Sequence, residues 1–157
     1  MADEVTVKVE GVEKALDKLK WYNVVIRDAC QAALKKAGFA IETQAKDNLR
    51  AIVYSTPPSP HYKRTGRLLS SISTNWSGSG MSRGKTGPQA KSGDGIGQPS
   101  GPTGLVVVVG SAVDYSIFVE AGTSKMAERP YLYPAFFSKE GEVEKQIKEI
   151  VGRKIGK

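Results

Sequence analysis

The sequence predicts an α+β fold in which a small antiparallel sheet packs against a long central helix and a carboxy-terminal helix, with a long glycine- and proline-rich basic hairpin loop. Three observations lead to this class. One long stretch has helical periodicity, two short β-rich runs flank the glycine-rich segment, and a second amphipathic stretch closes the chain. With 157 residues, of which 39% are hydrophobic and 25% are charged, the chain has the size and composition of one globular domain. We therefore expect a single domain over residues 1–157.

The amino-terminal residues predict a strand and then a short amphipathic helix. Apolar and polar residues alternate over Val5–Val9, as they do in a half-buried strand, and Gly11 ends the alternation. A short helix is expected next, because helical spacing begins at Val12, Ala15, Leu16 and Leu19.

The central helix is predicted over about Val24–Val53. Small and apolar residues recur there every three or four positions, with basic residues between them. The stripe is rich in alanine, so another helix or a sheet could approach it closely. Gly38 lies within it and lowers the stability of the helix by on the order of 1 kcal/mol relative to alanine. Cys30, the single cysteine, is expected to be a small buried hydrophobic residue rather than a nucleophile. The prolines within residues 57–60 end the helix.

The middle of the chain predicts a hairpin. Thr65 is a candidate cap for a short helix that reaches Ile72, and Ser73–Trp76 can continue as a strand. Leu105–Val109 is an apolar, β-branched run that begins directly after a glycine and ends directly before one, which is typical of a buried strand. If the two strands pair, the intervening residues 77–104 form the tip of a long hairpin.

Residues 77–104 are expected to form an extended flexible arm. They contain almost no apolar side chains beyond Met81 and Ile96, so burial cannot offset the entropy of ordering them. Residues 57–104 carry six basic groups and one acidic group, and therefore most of the net charge of +7. This concentration favours an anionic partner, either DNA or an acidic protein surface, over a merely solvated loop. The candidate contact residues are Arg64, Arg67, Arg83, Lys85 and Lys91.

A short helix is predicted after the second strand. Asp114 can cap it, and Tyr115, Phe118 and Val119 share one of its faces. Gly122 would end it in a left-handed conformation.

The last predicted element is an amphipathic helix that continues to about Gly152. Arg129 and Pro130 open it, since proline is tolerated in a first turn. Pro134 should fall in its first turn or mark a break. The Arg129 side chain is expected to pair with a carboxylate or with helix-end carbonyls, in preference to contacting DNA.

No catalytic, metal or cofactor site is expected. Gly84-Lys85-Thr86 lacks the first glycine of a phosphate-binding loop, because position 79 is Ser79, and Gly87-Pro88 follows where a helix should begin. His61 is the only histidine and lies in a proline-rich loop. An enzyme that uses Gly84-Lys85-Thr86 or His61 is the weakest interpretation. No apolar run approaches the roughly 18 residues of a membrane span, and the acidic start is unlike a signal peptide, so a cytoplasmic protein is expected.

Two ordered motifs carry a resemblance. The first comprises Tyr115-Ser116, Val119-Glu120-Ala121-Gly122-Thr123, Glu128-Arg129-Pro130-Tyr131-Leu132 and Pro134-Ala135. It resembles the "Tyr-Ala, Val-Glu-Phe-Gly-Thr, Ala-Arg-Pro-Phe-Leu, Pro-Ala" signature of the HK-ninety-seven-type gene-ten family of tailed-phage neck, head–tail connector and tail-completion proteins. Upstream, Thr65-Gly66-Arg67-Leu68 with Ser71-Ile72 resembles that family's "Thr-Gly, Leu, Ser-Ile" element. The resemblance spans essentially the whole chain.

The resemblance implies an α+β structural virion protein of a long-tailed double-stranded DNA phage or prophage, without catalysis or a cofactor. It implies a cyclic homo-oligomeric ring at the head–tail junction that joins head and tail around the DNA channel, with six or twelve subunits both open. The implied partners are copies of the chain, an adjacent head-closure or adaptor ring, tail terminator or tail tube proteins and genomic DNA in the channel, and no membrane. The implied location is the virion neck, after assembly in the host cytoplasm. The motif positions carried over as structural residues are Thr65, Gly66, Leu68, Tyr115, Glu120, Gly122, Thr123, Arg129, Pro130 and Pro134.

Composition leaves a second interpretation open. A small basic nucleic-acid-binding protein that acts free in the cytoplasm would have the same charge excess. Its DNA affinity would fall steeply with salt, because binding releases counterions. Self-association and salt dependence therefore discriminate between the two interpretations.

Overall fold

The computed structural model of the protein describes residues 12–55, 64–76 and 105–155. The strand expected at Val5–Val9, the loop that contains His61, and the arm at residues 77–104 lie outside the described residues. Within the described ranges, the chain forms helices and a two-stranded antiparallel sheet, which confirms the predicted α+β class. In chain order the elements are α1 (Val12–Leu49), a π-helical turn (Arg50–Tyr54), α2 (Arg67–Ser71), β1 (Ile72–Trp76), β2 (Val107–Ser111), α3 (Ser116–Ala121) and α4 (Leu132–Ile155).

Helix α1 is one continuous element of 38 residues. The separate short helix predicted before the central one is wrong, because Lys20, Trp21, Tyr22 and Asn23 contain no proline or glycine that could end a helix. The predicted alanine stripe is confirmed as the buried face. Its buried members are Ala29, Ala33, Ala37, Ile41, Ala45 and Leu49.

Strands β1 and β2 pair antiparallel, with Ile72 opposite Ser111 and Trp76 opposite Val107. The predicted pairing is confirmed, although β2 begins and ends two residues later than expected. The sheet lies directly against α1 at Gly38, where an added Cβ would stand 2.6 Å from Thr74 Cγ2 and 2.7 Å from Val107 Cγ1. The close approach expected of the small-residue stripe is therefore present.

Helix α4 packs along α1 in the opposite direction. The side-chain amide of Asn48, near the end of α1, donates to the main-chain oxygen of Tyr131 at 3.1 Å, just before α4 begins. Further along, the pKa of Glu142 is lowered chiefly by its hydrogen bond with Lys139 and, more weakly, by the charge of Lys36 on α1. At about 1.5 Å per residue, α4 reaches back to about residue 25 of α1. The first turns of α1 therefore extend beyond the end of α4.

The core lies where α1, α2, β1 and the start of α4 meet. Leu68, Ile72, Val113, Tyr131 and Ala135 are buried there against the carboxy-terminal half of α1. This contact fixes the corner between α3 and α4, which contains most of the sequence motif.

Two helix starts differ from the sequence-based expectation. Gly66, with φ 73°, is the residue that precedes α2, and Thr65 instead accepts a hydrogen bond from the Arg67 N–H at 3.3 Å. Asp114 accepts from the Tyr115 N–H at 2.9 Å, and α3 begins only after Tyr115, without a side-chain cap. In both cases the hydroxyl or carboxylate bonds too close to its own position to cap the helix itself.

Helix α4 begins at Leu132, two residues after Pro130, and ends at Ile155 rather than at Gly152. Pro134 is its third residue, so the expectation that it falls in the first turn is confirmed. A first-turn N–H has no partner within the helix, and proline loses nothing there.

Candidate functional site

The carboxylate of Glu120 caps the amino terminus of α4. Its Oε2 accepts from the N–H groups of Tyr131 at 2.9 Å and Leu132 at 3.0 Å, and its Oε1 accepts from the N–H of Tyr133 at 2.9 Å. These are donors that a helix leaves without partners, and the positive end of the helix dipole favours a negative charge there. Glu120 stands at the end of α3, so one side chain joins the two helices into a corner.

Gly122 makes the turn that brings Glu120 back to α4. Its φ is 74°, and an added Cβ would stand 2.8 Å from the Glu128 nitrogen and 2.9 Å from the Met126 oxygen. Thr123 and Met126 exchange main-chain hydrogen bonds of 2.8 and 3.2 Å, which close the turn. The positive φ expected at Gly122 is confirmed, but its ψ of −177° lies outside the predicted left-handed helical region, and the close backbone approach is a second reason why only glycine fits.

Arg129 holds the corner with its main chain rather than its side chain. The Arg129 N–H donates to the Val119 oxygen at 2.9 Å, across the turn. Its side chain is exposed, and within the described residues it pairs with no carboxylate, so the expected pairing is not seen. Of the two carboxylates in this corner, that of Glu120 is engaged by main-chain donors and that of Glu128 is exposed.

Tyr131 anchors the corner to the rest of the fold. Its side chain is almost completely buried, and burial is the main cause that raises its pKa to about 12. Hydrogen bonds with Ser111 and Ser116 oppose that shift, and the charge of Glu120 adds to it. Ser111 in turn shares a 2.6 Å hydrogen bond with the Ser71 hydroxyl. Tyr131 therefore connects the corner to β2 and, through Ser71, to the end of α2.

A second polar contact holds the sheet against α1. The buried hydroxyl of Thr74 donates to Glu42 Oε2 at 2.7 Å, and Lys46 donates to the other oxygen of the same carboxylate at 2.6 Å. Nothing in the sequence pattern marks Glu42, because its i,i+4 pairing with Lys46 is indistinguishable from a solvent-exposed pair. The contact holds the Thr74 side chain beside Gly38.

Two of the predicted basic contact residues have partners within the chain. The Arg64 guanidinium lies over the Tyr54 ring, 5.6 Å from its centroid, and donates to the Tyr54 oxygen at 3.2 Å. Arg67 lies over the Tyr115 ring at 5.8 Å. The other three, Arg83, Lys85 and Lys91, lie outside the described residues. An anionic partner for this set stays a prediction.

The first turns of α4 carry an exposed aromatic cluster, defined as Tyr133, Phe136 and Phe137. Their exposed fractions are 66%, 50% and 61%. The rings touch one another, with centroids 6.1 Å apart for Tyr133 and Phe137 and 5.7 Å apart for Phe136 and Phe137. Ile117 and Phe118 on α3 are also exposed, next to the same corner. Sequence reasoning assigned no role to this cluster, although three aromatic residues within five positions were visible.

An apolar cavity of about 470 Å³ lies beside the aromatic cluster, between α1, β2 and α4. Tyr133 and Phe136 form part of its wall. Its other lining residues are Leu34, Ala37, Gly38, Ile41, Val107, Val108, Val109, Leu132 and Val143. The cluster and the cavity together form one continuous apolar surface.

Groups of three or more His, Cys, Asp or Glu side chains that could hold a metal ion do not occur among the described residues. A helix long and apolar enough to cross a membrane is likewise not found in the part of the chain that the structure describes. The region combines exposed aromatic side chains with a corner that is held by main-chain hydrogen bonds to Glu120.

Comparison with known proteins supplies a family match. A family model described as "HK97-gp10_like: Bacteriophage HK97-gp10, putative tail-component" matches residues 13–122. The match covers α1, the sheet and α3 up to Gly122, and the remainder of the corner follows it. A search of curated proteins and a search of solved structures each found no match.

Proposed function

Because the chain belongs to the HK97-gp10-like family of phage tail components, we propose that it forms a ring at the head–tail junction of a long-tailed phage or prophage. Membership in this family supports a structural role in a phage virion, and the family match over residues 13–122 is the observation that carries the proposal. The ring would surround the channel through which DNA passes and would join the completed head to the completed tail. Its work is binding, without a chemical step.

The exposed apolar surface supports this assembly role. Three clustered aromatic side chains that are each at least half exposed present about 300 Å² of apolar area. This is as large as the largest apolar patch of many monomeric proteins, and such patches commonly mark interaction sites. A subunit that works only within an assembly has a reason to display such a surface.

The proposed partners are further copies of the chain, a head-closure or adaptor ring on one side and a tail terminator or tail tube protein on the other. The arm at residues 77–104 would contact one of them or the DNA. The pairing of Trp76 with Val107 supports a local role for the arm, because its two ends are held close together by the hairpin. The arm can then be altered without changing the pairing of β1 with β2.

The proposal is tested in the phage or prophage that encodes the protein. Deleting the gene should give lysates with filled heads and separate, complete tails, and expression of the wild-type chain should restore joined particles. Electron micrographs with antibody label should show the protein at the junction. Joined particles in the deletion strain, or tails of abnormal length, would contradict the proposed position.

The arm is tested by replacement. Exchanging residues 77–104 for Asn-Gly should leave the melting temperature unchanged or raised, since a shorter loop costs less entropy to close. The same exchange should stop heads and tails from joining. Changing only Arg83, Lys85 and Lys91 to serine separates the causes, because lost joining in that variant indicates an anionic partner. Normal joining by the shortened chain would show that the arm is a passive loop.

A further inference from the structure

The aromatic cluster has a counterpart at the opposite end of α1. Trp21 lies on the part of α1 that extends past α4, and Val24 lies where the overlap with α4 ends; their exposed fractions are 59% and 58%. They are three positions apart and therefore neighbours on one side of the helix. Among the described residues, exposed apolar side chains therefore lie toward both ends of the longest helix.

One copy cannot bring these two surfaces together. Val24 precedes Leu34, the first residue of α1 that lines the cavity, by 10 positions, and Trp21 precedes Ile41, which also lines it, by 20 positions. At about 1.5 Å per residue, a continuous helix holds the two surfaces about 15–30 Å apart. The contact can form only between different molecules.

The remainder of the chain is also poorly suited to cover the cavity. Val5, the most distant valine of the amino-terminal run, lies seven residues before Val12 and can reach at most about 24 Å from it, and Met1 could reach about 36–40 Å only with every residue fully extended. Leu34, the nearest lining residue, stands about 33 Å along the helix. Residues 77–104 offer only Met81 and Ile96 as large apolar side chains.

We propose that the face of α1 that carries Trp21 and Val24 docks, in a second copy of the chain, onto the aromatic cluster and the adjoining cavity. The two contacting surfaces differ, so the interface is head-to-tail, and each copy keeps one free surface of each kind. Repetition of a head-to-tail contact closes into a ring when the rotation between neighbours allows it. The inference rests on the proposed ring and names the surfaces that build it.

The first part of the test uses two double variants of the full chain in analytical ultracentrifugation. Variant A is Trp21→Ser with Val24→Ser, and variant B is Phe136→Ser with Phe137→Ser. Each should associate about 30-fold more weakly than wild type or not at all, as expected for loss of central apolar contacts. Ile52→Ser is the matched control, because Ile52 is an exposed apolar residue outside both surfaces, and it should keep the wild-type assembly.

The second part mixes variants A and B in equal amounts. Variant B keeps an intact Trp21 face and variant A keeps an intact aromatic cluster, so one contact can form and the mixture should yield a one-to-one dimer that grows no further. This rescue also shows that both variants are folded, and circular dichroism melting checks each one alone. A mixture that stays monomeric would overturn the inference.

Other outcomes identify which idea has failed. If wild type forms rings that variant A leaves intact, the cluster contacts something other than Trp21, and the inference is overturned while the proposed ring stands. If wild type remains monomeric alone and with its neck partners, the ring itself is wrong. Assembly that variant B leaves intact would likewise overturn the assignment of the aromatic cluster.

Discussion

Removing the Glu120 carboxylate should destabilise the corner on which the aromatic cluster is built. Glu120→Ala removes the acceptor for three main-chain donors at the start of α4. Glu120→Gln keeps one carbonyl acceptor and removes the charge. Comparing the two variants separates the hydrogen bonds from the interaction with the helix dipole.

The expected loss of stability depends on whether each main-chain N–H can bond to water once the Glu120 carboxylate is removed. Tyr133 is exposed, so its N–H can bond to water after the substitution, whereas Tyr131 is buried and its N–H loses the acceptor that it has among the described residues. A buried donor without a partner costs about 1–3 kcal/mol, and loss of a helix cap costs about 1 kcal/mol. We expect Glu120→Ala to lower the free energy of unfolding by about 2–4 kcal/mol. Glu120→Gln should lower it by about half as much.

Urea unfolding followed by circular dichroism measures these differences. At about 2–4 °C per kcal/mol for a chain of this size, the melting temperature of Glu120→Ala should fall by about 4–16 °C. Glu128→Gln is the matched control, because Glu128 is an exposed acid on the same turn, and its effect should stay within about 0.5 kcal/mol. A Glu120→Ala variant as stable as the control would refute the capping role.

Three further predictions concern stability. Gly122→Ala should lower the free energy of unfolding clearly more than Gly66→Ala does. Both glycines have positive φ, but only an added Cβ at Gly122 would lie less than 3.0 Å from backbone atoms. Equal losses of about 1 kcal/mol in the melting curves of the two variants would contradict this packing. Gly141→Ala should raise the free energy of unfolding by about 0.5–1 kcal/mol, because open space surrounds the added Cβ. Gly38→Ala should lower it despite the same gain in helix propensity, because the added Cβ would meet Thr74 and Val107. If both substitutions changed the free energy of unfolding in the same direction, the close approach of sheet and helix would be disproved. The pKa of Tyr131 is raised to about 12 from an ordinary 10.0. Between these two pH values the Tyr131 hydroxyl ionises mainly in the unfolded state. The free energy of unfolding should therefore keep its full value below pH 10 and fall by about 2–3 kcal/mol as the pH rises to 12. Tyr131→Phe should flatten that part of the stability–pH curve relative to wild type, and an unchanged slope would count against the burial.

Sequence reasoning located the elements well because their causes are local. The spacing of Ala33, Ala37 and Ala45 identifies the buried face of α1 before any partner is known. A glycine at the end of α3 indicates positive φ, and Pro134 fits a first helical turn, because both effects depend on the geometry of a few neighbouring residues.

Contacts between elements were not predictable in the same way. Glu120 appeared as a motif residue without a physical task, since its partners follow 11 to 13 residues later and are main-chain groups that any residue possesses. Glu42 looked like half of an exposed helical pair, yet it receives the hydroxyl of Thr74. Both roles depend on the path of the chain between elements, which periodicity does not encode.

The sequence by itself determined the α+β class, the small-residue stripe of α1, the two strand segments and the turn at Gly122, because backbone preference and hydrophobic spacing act over a few residues. Only the tertiary structure decided that Glu120 caps α4 and that Phe136 and Phe137 face outward. An aromatic residue at helical spacing is equally consistent with a core or a surface position, and the choice depends on which neighbouring element occupies the space beside it. The antiparallel packing of α4 on α1 buries Tyr131 and Ala135 but leaves Tyr133, Phe136 and Phe137 at least half exposed, with Tyr133 and Phe136 at the edge of the cavity.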